Sequence, residues 1–188
     1  MRPKQTDKLN MTTATINWQP DNLQDNIVKL KPLAESDFEN LFQVASDPLI
    51  WEQHPANDRY KREVFQNYFD GAISSKTAFL ILDKSCDKVI GCTRYYDFKP
   101  GSSSIAIGFT FLSRQYWGGL YNKSSKRLLL DYAFQFVDKV YFHIGADNVR
   151  SQLAITKIGA AKINEIEIDS NGQNQLHYEY VIQKQDWK

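Results

Sequence analysis

Apolar positions change period several times along the chain, and each change marks an element. Ile27, Val28 and Leu30 predict a short strand over Ile27–Leu30, which Pro32 interrupts. Phe38, Leu41, Phe42 and Ala45 recur at i, i+3, i+4 and i+7, predicting a helix opened by Glu35 or Ser36. Asp47-Pro48 ends it, because a residue before proline disfavours the helical region. A second helix is expected over Lys61–Ile73, with Val64, Tyr68, Phe69 and Ala72 on one side.

The period then becomes that of strands. Ala78–Leu82 and Val89–Tyr96 flank the polar turn Asp83–Lys88 and read as a hairpin. Ser104–Leu112 follows the turn Pro100-Gly101, with Ile105, Ile107, Phe109 and Phe111 expected on one face. Gly108 inside that strand signals a bulge, or the close approach of another backbone or a ligand. Ser113–Gly119 reads as a loop before a long helix, Tyr121 to Val137, striped by Leu129, Ala133 and Phe136. Val140–Ile144 is a strand. Asp147 or Asn148 caps a short helix that runs to Ile158 and stops at Gly159. Two last strands, Lys162–Ile168 and His177–Ile182, flank the hairpin signal Asn171-Gly172.

This order, β-α-α-β-β-β-α-β-α-β-β, places antiparallel hairpins before one strand–helix–strand crossover, which is parallel and right-handed. The expected class is α/β (an α+β mixed sheet), about seven strands with helices on both faces, in a single domain over residues 27–188. Residues 1–26 are polar, lack the apolar core of a signal peptide, and are expected as a flexible lead-in on which Trp18 alone docks.

Composition narrows the function classes. A formal net charge of +1 gives no reason to expect a nucleic-acid partner. No run approaches the roughly 20 apolar residues of a membrane span, so no membrane partner is expected. Cys86 and Cys92 miss the CxxC spacing and read as free thiols of a reducing compartment, which makes a cytoplasmic location the default. Three scattered histidines carry no metal signature.

Two stretches could carry chemistry. In the first, Leu112 to Lys123, Gly118-Gly119 precedes a helix whose free N–H groups and dipole attract anions, and Lys123 and Lys126 add charge. A plain strand–helix connection fits the same residues, since Gly-Gly is a weak signal. Neither GxxxxGK[ST] nor GxGxxG occurs, so ATP and NAD are poorly supported. In the second stretch, Asn148 and Ser151 project from one helix start just beyond the crossover strand, where open α/β sheets place ligands. A bare cap at Asn148 with a solvated Ser151 is the alternative.

Gly108-Phe109, Tyr116-Trp117-Gly118-Gly119-Leu120-Tyr121, Tyr132-Ala133-Phe134, then Asn148, Ser151, Lys157 and Gly159 form a combination more specific than its parts. Together they resemble the GNAT superfamily of acyl-CoA-dependent N-acyltransferases, in particular its Rim-type branch of N-terminal acetyltransferases, from about Ile27 onward. The resemblance implies acetyl-CoA as acyl donor and a primary amine as acceptor, either a protein N-terminus or a small molecule. It implies that the backbone of Phe111, Leu112 and Ser113 pairs with the pantetheine arm. The segment Trp117, Gly118, Gly119, Leu120, Tyr121, Asn122 and Lys123 would then hold the pyrophosphate. Asn148 would bond the pantetheine, and Ser151 would protonate the leaving thiolate. Direct attack by the amine would give a tetrahedral intermediate, with backbone N–H groups near Gly108–Phe111 as oxyanion donors. Two departures from the family pattern are Leu120, where relatives carry Gly, and Asn122, where they carry a small residue.

Glu52 and His54 are the general-base candidates, in the loop Asp47–Arg59 that borders the acceptor in relatives. Arg94, Tyr95 and Tyr96 are expected to line the acceptor pocket. A homodimer through the last strands is implied by resemblance alone. Because fold does not fix function, a non-catalytic acyl-CoA-binding or sensing domain is the alternative, motivated by Leu120 and by a donor strand without an acid. A protein–protein module with an aromatic surface is the third reading.

Overall fold

The computed structural model describes residues 16–170 and 173–188. The expected hairpin turn at Asn171-Gly172 lies outside the described residues. Among the described residues, seven strands and four α-helices form in the predicted order: β1 (Val28–Pro32), α1 (Phe38–Ala45), α2 (Arg62–Ser75), β2 (Ala78–Asp83), β3 (Lys88–Lys99), β4 (Ser104–Leu112), α3 (Leu120–Ala133), β5 (Lys139–Gly145), α4 (Val149–Thr156), β6 (Ala161–Ser170) and β7 (Gln173–Gln183). They build one mixed sheet in the order β1-β2-β3-β4-β5-β7-β6. Only β4 and β5 run parallel, joined by the α3 crossover.

Side chains on the two sheet faces feed two cores. Leu129, Leu130 and Ala133 of α3 and Ile155 of α4 pack with Leu30, Phe79, Ile81, Ile105 and Ile107. Leu41 and Ala45 of α1, and Phe65, Phe69 and Ala72 of α2, pack with Leu80, Leu82, Cys92 and Phe111. All six residues of β2 are buried, so this strand reads as an unbroken apolar run because helices cover both its faces.

The alternation in β4 breaks once. Cys92 pairs with Phe111 and Arg94 with Gly108, so three steps on β4 oppose two on β3. The extra residue sits at Phe109, whose φ is +52°. One inserted residue moves everything after it to the other face. Ile105 and Ile107 therefore face the α3 core while Phe111 faces the α2 core, correcting the expectation of a single face for all four residues.

Two boundaries also differ. Helix α3 stops at Ala133 instead of reaching Val137; the chain turns there, and Phe136 lies half-exposed against Trp18. Residues 16–26 lie against the domain. Trp18 is 9% exposed and packs on Tyr95 and Phe98 at centroid separations of 5.3 and 5.1 Å. Gln19 Nε2 donates to the Ala78 carbonyl at 2.5 Å, and Gln24 bridges to Lys29.

Candidate active site

Strands β4 and β5 pair through only three residues each, ending at Ala106 and Tyr141, and then separate. The gap opens a cavity of about 220 Å³. Phe111, Leu112, Trp117, Gly118, Asn122 and Lys126 line one wall; His143, Ile144, Gly145, Asn148 and Ser151 line the other; His54, Pro55 and Arg59 close it from the loop before α2.

Helix α3 begins at this cleft with no side chain capping it. Its first N–H groups are thus left for an anion. Gly118 takes a φ of +71°, the left-handed region that glycine enters without steric cost, and a side chain added there would meet nothing within 4 Å. Leu120 is 62% exposed and is not among the lining residues, so it does not crowd the cleft. Ser113, Gly119, Tyr121 and Lys123 also stand outside the lining. The Ser113 N–H donates to the Ile90 carbonyl at 2.7 Å, and the Tyr121 hydroxyl to Asp83 Oδ2 at 3.2 Å. Trp117 Nε1 donates to the Leu112 carbonyl at 2.9 Å, and the Arg150 guanidinium lies 3.8 Å from its ring centroid. That contact joins the start of α3 to the start of α4 across the cleft.

Asn148 caps α4, its Oδ1 accepting the Ser151 N–H at 3.1 Å, and both residues line the cleft. The cap and a place at the ligand surface are therefore compatible. Lys126 is buried, and its Nζ donates to Thr110 Oγ1 at 2.5 Å and to Thr93 Oγ1 at 3.4 Å. Burial without a carboxylate pushes its amine down to about 7. The Tyr68 hydroxyl donates to the Phe109 carbonyl at 2.6 Å and so pins the bulge. In a planar trans peptide the carbonyl and the following N–H point oppositely, which aims the Thr110 N–H away from Tyr68.

The acceptor side differs from expectation in three places. Glu52 is exposed and outside the lining. His54 lines the cleft, but burial first, then the charges of Arg59 and His177, push it down to about 3. A base that weak does not take a proton from an ammonium group. Tyr95 is fully buried in the α3 core, its hydroxyl donating to the Leu129 carbonyl at 2.5 Å. The cause is the pleat: three consecutive strand residues cannot share a face, so Tyr95 points away from Arg94 and Tyr96.

Arg94 and Tyr96 are not among the lining residues either, but they lie against Phe109 and Gly108, which are. The Arg94 guanidinium stacks 3.4 Å from the Phe109 ring centroid. The Tyr96 ring crosses β4 over Gly108, where an added Cβ would meet Tyr96 Cε1 at 2.8 Å. This close approach places the Tyr96 hydroxyl 2.7 Å from His143 Nδ1, and His143 Nε2 lies 3.1 Å from Glu179 Oε1. The tautomer that satisfies both contacts has Tyr96 donating to Nδ1 and Nε2–H donating to Glu179. His143 lines both the cleft and a second cavity that Glu179 also borders. Sequence reasoning missed His143 and Glu179. They meet only through the β5–β7 register, which pairs them directly and which no local pattern encodes.

The family model of the acetyltransferase (GNAT) domain matches residues 28–161. No curated protein matches the chain. Among solved structures, a GNAT-family protein from Chromobacterium violaceum aligns with a TM-score of 0.80 at 17% identity, covering 100% of this chain and 99% of that one. A GCN5-related N-acetyltransferase from Brucella melitensis aligns at 0.72 and 20% identity, covering 91% and 85%. Mycobacterium smegmatis RimJ in complex with CoA-disulfide aligns at 0.67 and 14% identity, covering 85% and 83%. At these identities the likeness speaks for the fold. The family match spans most of the sequence and every strand that builds the cleft except β7, and on that ground the chain belongs to the GNAT acetyltransferase family.

Proposed function

We propose that the protein transfers an acetyl group from acetyl-CoA to a primary amine. One observation carries this reading: the cleft between the diverging strands β4 and β5 ends at the uncapped, glycine-led start of α3. An anionic thioester fits such a site on two counts. Its diphosphate meets free N–H groups and the positive end of a helix, and the lining contains no carboxylate to repel it.

Acetyl-CoA supplies an activated acyl carbon. Gly118 and Asn122 border the phosphates, Phe111 and Leu112 border the pantetheine arm, and Asn148 and Ser151 stand on the opposite wall. The Thr110 N–H beside the pinned bulge stabilises the oxyanion. The amine must be neutral to attack. Its proton passes to Tyr96, from Tyr96 to His143, and from His143 toward Glu179 and the second cavity. As the new C–N bond forms and the C–S bond breaks, the sulfur leaves as a thiolate; the Ser151 hydroxyl donates its proton to it and is reprotonated, through solvent, by the second proton that the acylated nitrogen sheds. A protein N-terminus, the acceptor of the Rim-type branch, belongs to the same proposal, as do a cytoplasmic location and a homodimer.

The test is calorimetry with acetyl-CoA followed by thiol release over a panel of amines. Binding with release above background supports the transferase. Binding without release from any amine would favour the sensing domain, and absent binding at millimolar acetyl-CoA removes both. Tyr96→Phe should lower kcat and shift the pH profile while acetyl-CoA affinity stays the same.

A further inference from the structure

The distribution of counter-charges on this chain is inverted. The exposed arginines have carboxylates: Arg62 with Glu39 at 2.6 Å, Arg114 with Asp47 at 2.5 Å, and Arg127 with Asp131 at 3.7 Å. The more buried cations Arg59, Arg94, Arg150 and Lys126 form no ion pair among the described residues. Water screens the first group and needs no help from a carboxylate. The second group has been desolvated without a counter-charge, with only neutral partners such as His54 Nε2 at 3.2 Å from Arg59 Nη1 and two threonines on Lys126, which is the costly arrangement. All four stand at or beside the cleft, whose lining contains no Asp or Glu.

Under the proposed function, the phosphates of the acyl donor compensate Arg150 at the start of α4, whereas Lys126, in the second turn of α3, is held by Thr93 and Thr110. The phosphates do not account for Arg59 and Arg94, on the opposite side around Phe109. Arg59 comes from the loop before α2; it lies 5.1 Å from the Tyr68 ring centroid and 5.6 Å from that of Trp51. Arg94 comes from β3, and its buried Nε has no hydrogen-bond partner. Burial lowers both guanidinium groups from the usual arginine range, and the charge of Arg94 lowers Arg59 further. Facing these groups are His54, Tyr68 and Tyr96, together with the minor field of Asp58 on Arg59. The aromatic faces of Trp51, Tyr68 and Phe109 hold the two cations by cation–π attraction, but they leave the forked N–H donors without the planar acceptor those donors fit.

We propose that Arg59 and Arg94 form a carboxylate-binding subsite, and that the acceptor is a small amine carrying its own carboxylate, as an amino acid does. This rests on the transferase reading and narrows it. A polyamine brings more positive charge to two uncompensated cations and is disfavoured. The carboxylate anchors the acceptor on the Arg94 side of Phe109, and the amine then faces the thioester across the bulge. The ammonium proton leaves through Tyr96, the freed lone pair forms the C–N bond, the C–S bond breaks, and the second proton shed by the nitrogen balances the one that Ser151 gives to the departing sulfur.

Two measurements on the full chain separate this proposal from the reading beneath it. The first is calorimetric titration of N-acetyl-L-amino acids, each as free acid and as carboxamide, with no acyl donor present. The free acids should bind at least tenfold tighter than the amides, and Arg94→Met should erase that difference. Equal affinities for acid and amide on the wild-type protein overturn the subsite whatever the variant does. The second is thiol release from acetyl-CoA with L-amino acids, their amides and spermidine. Faster release with spermidine or with the amides overturns the acceptor class while leaving the transferase intact. Selective binding of the acids with no release from any amine preserves the subsite and overturns the transferase.

Discussion

Lys126 provides the sharpest quantitative test of how this cleft is built. Its amine lies in the protein interior with two threonine hydroxyls as partners and no carboxylate, and burial brings it from 10.5 to about 7. At about 1.4 kcal/mol per pH unit, holding the proton in the folded state costs on the order of 5 kcal/mol. Lys126→Met removes that cost while keeping an unbranched side chain of similar length. Thr93 and Thr110 remain bonded to each other at 2.8 Å, so the variant leaves no hydroxyl stranded. The variant loses the bond from Nζ to Thr110, worth about 1 kcal/mol. Below pH 7 both the folded and unfolded wild-type chains carry the proton, and the variant should be more stable by about 4 kcal/mol. Between about 7 and 10.5 the unfolded chain binds a proton that the folded one lacks, so wild-type stability rises with pH and the advantage shrinks. Near pH 9.5 the two proteins should be almost equal. Urea denaturation of both, followed by tryptophan fluorescence at pH 6, 7.5 and 9.5, reads the difference directly. A difference that stays flat across this range, or a variant less stable at pH 6, would refute the uncompensated-charge argument.

Three further substitutions probe the scaffold around the reacting groups. Gly108→Ala puts a methyl 2.8 Å from Tyr96 Cε1; a loss of about 1–3 kcal/mol in denaturation and a clear fall in thiol release are expected, because the ring must leave His143. Tyr68→Phe frees the Phe109 carbonyl from its 2.6 Å bond and should cost about 1 kcal/mol in urea melts, with kcat falling more than acetyl-CoA affinity. Gly145→Ala meets Pro55 Cγ at 2.7 Å; displacing the His54–Arg59 loop should raise KM for the amine by more than it weakens acetyl-CoA in titration.

What the sequence disclosed depended on how local each signal was. Periodicity located every strand and helix, because burial on one side of a regular element repeats at a fixed spacing. Gly108 announced a bulge or a close approach, and both occur there: one residue is inserted and an aromatic ring passes over the missing side chain. The face of Phe111 could not be read, since the insertion reverses inside and outside without changing composition. Tyr95 was misplaced for a simpler reason, as the pleat sends neighbours to opposite sides and the triplet Arg94-Tyr95-Tyr96 had to split. Trp117, Gly118, Asn122, Asn148 and Ser151 came together because they close two strand–helix junctions flanking one gap. The Tyr96–His143–Glu179 chain crosses β3, β5 and β7, and its contacts exist only once register is set.

The Trp117 indole is tethered at both ends, its nitrogen on the Leu112 carbonyl and its face against Arg150. Any guest entering along that strand edge must compete with a resident donor, so its gain is an exchange of one bond for another. That cost is the same whatever acyl chain the guest carries. The same ring would report its own displacement, since an indole that loses a hydrogen bond and a stacked cation changes its emission.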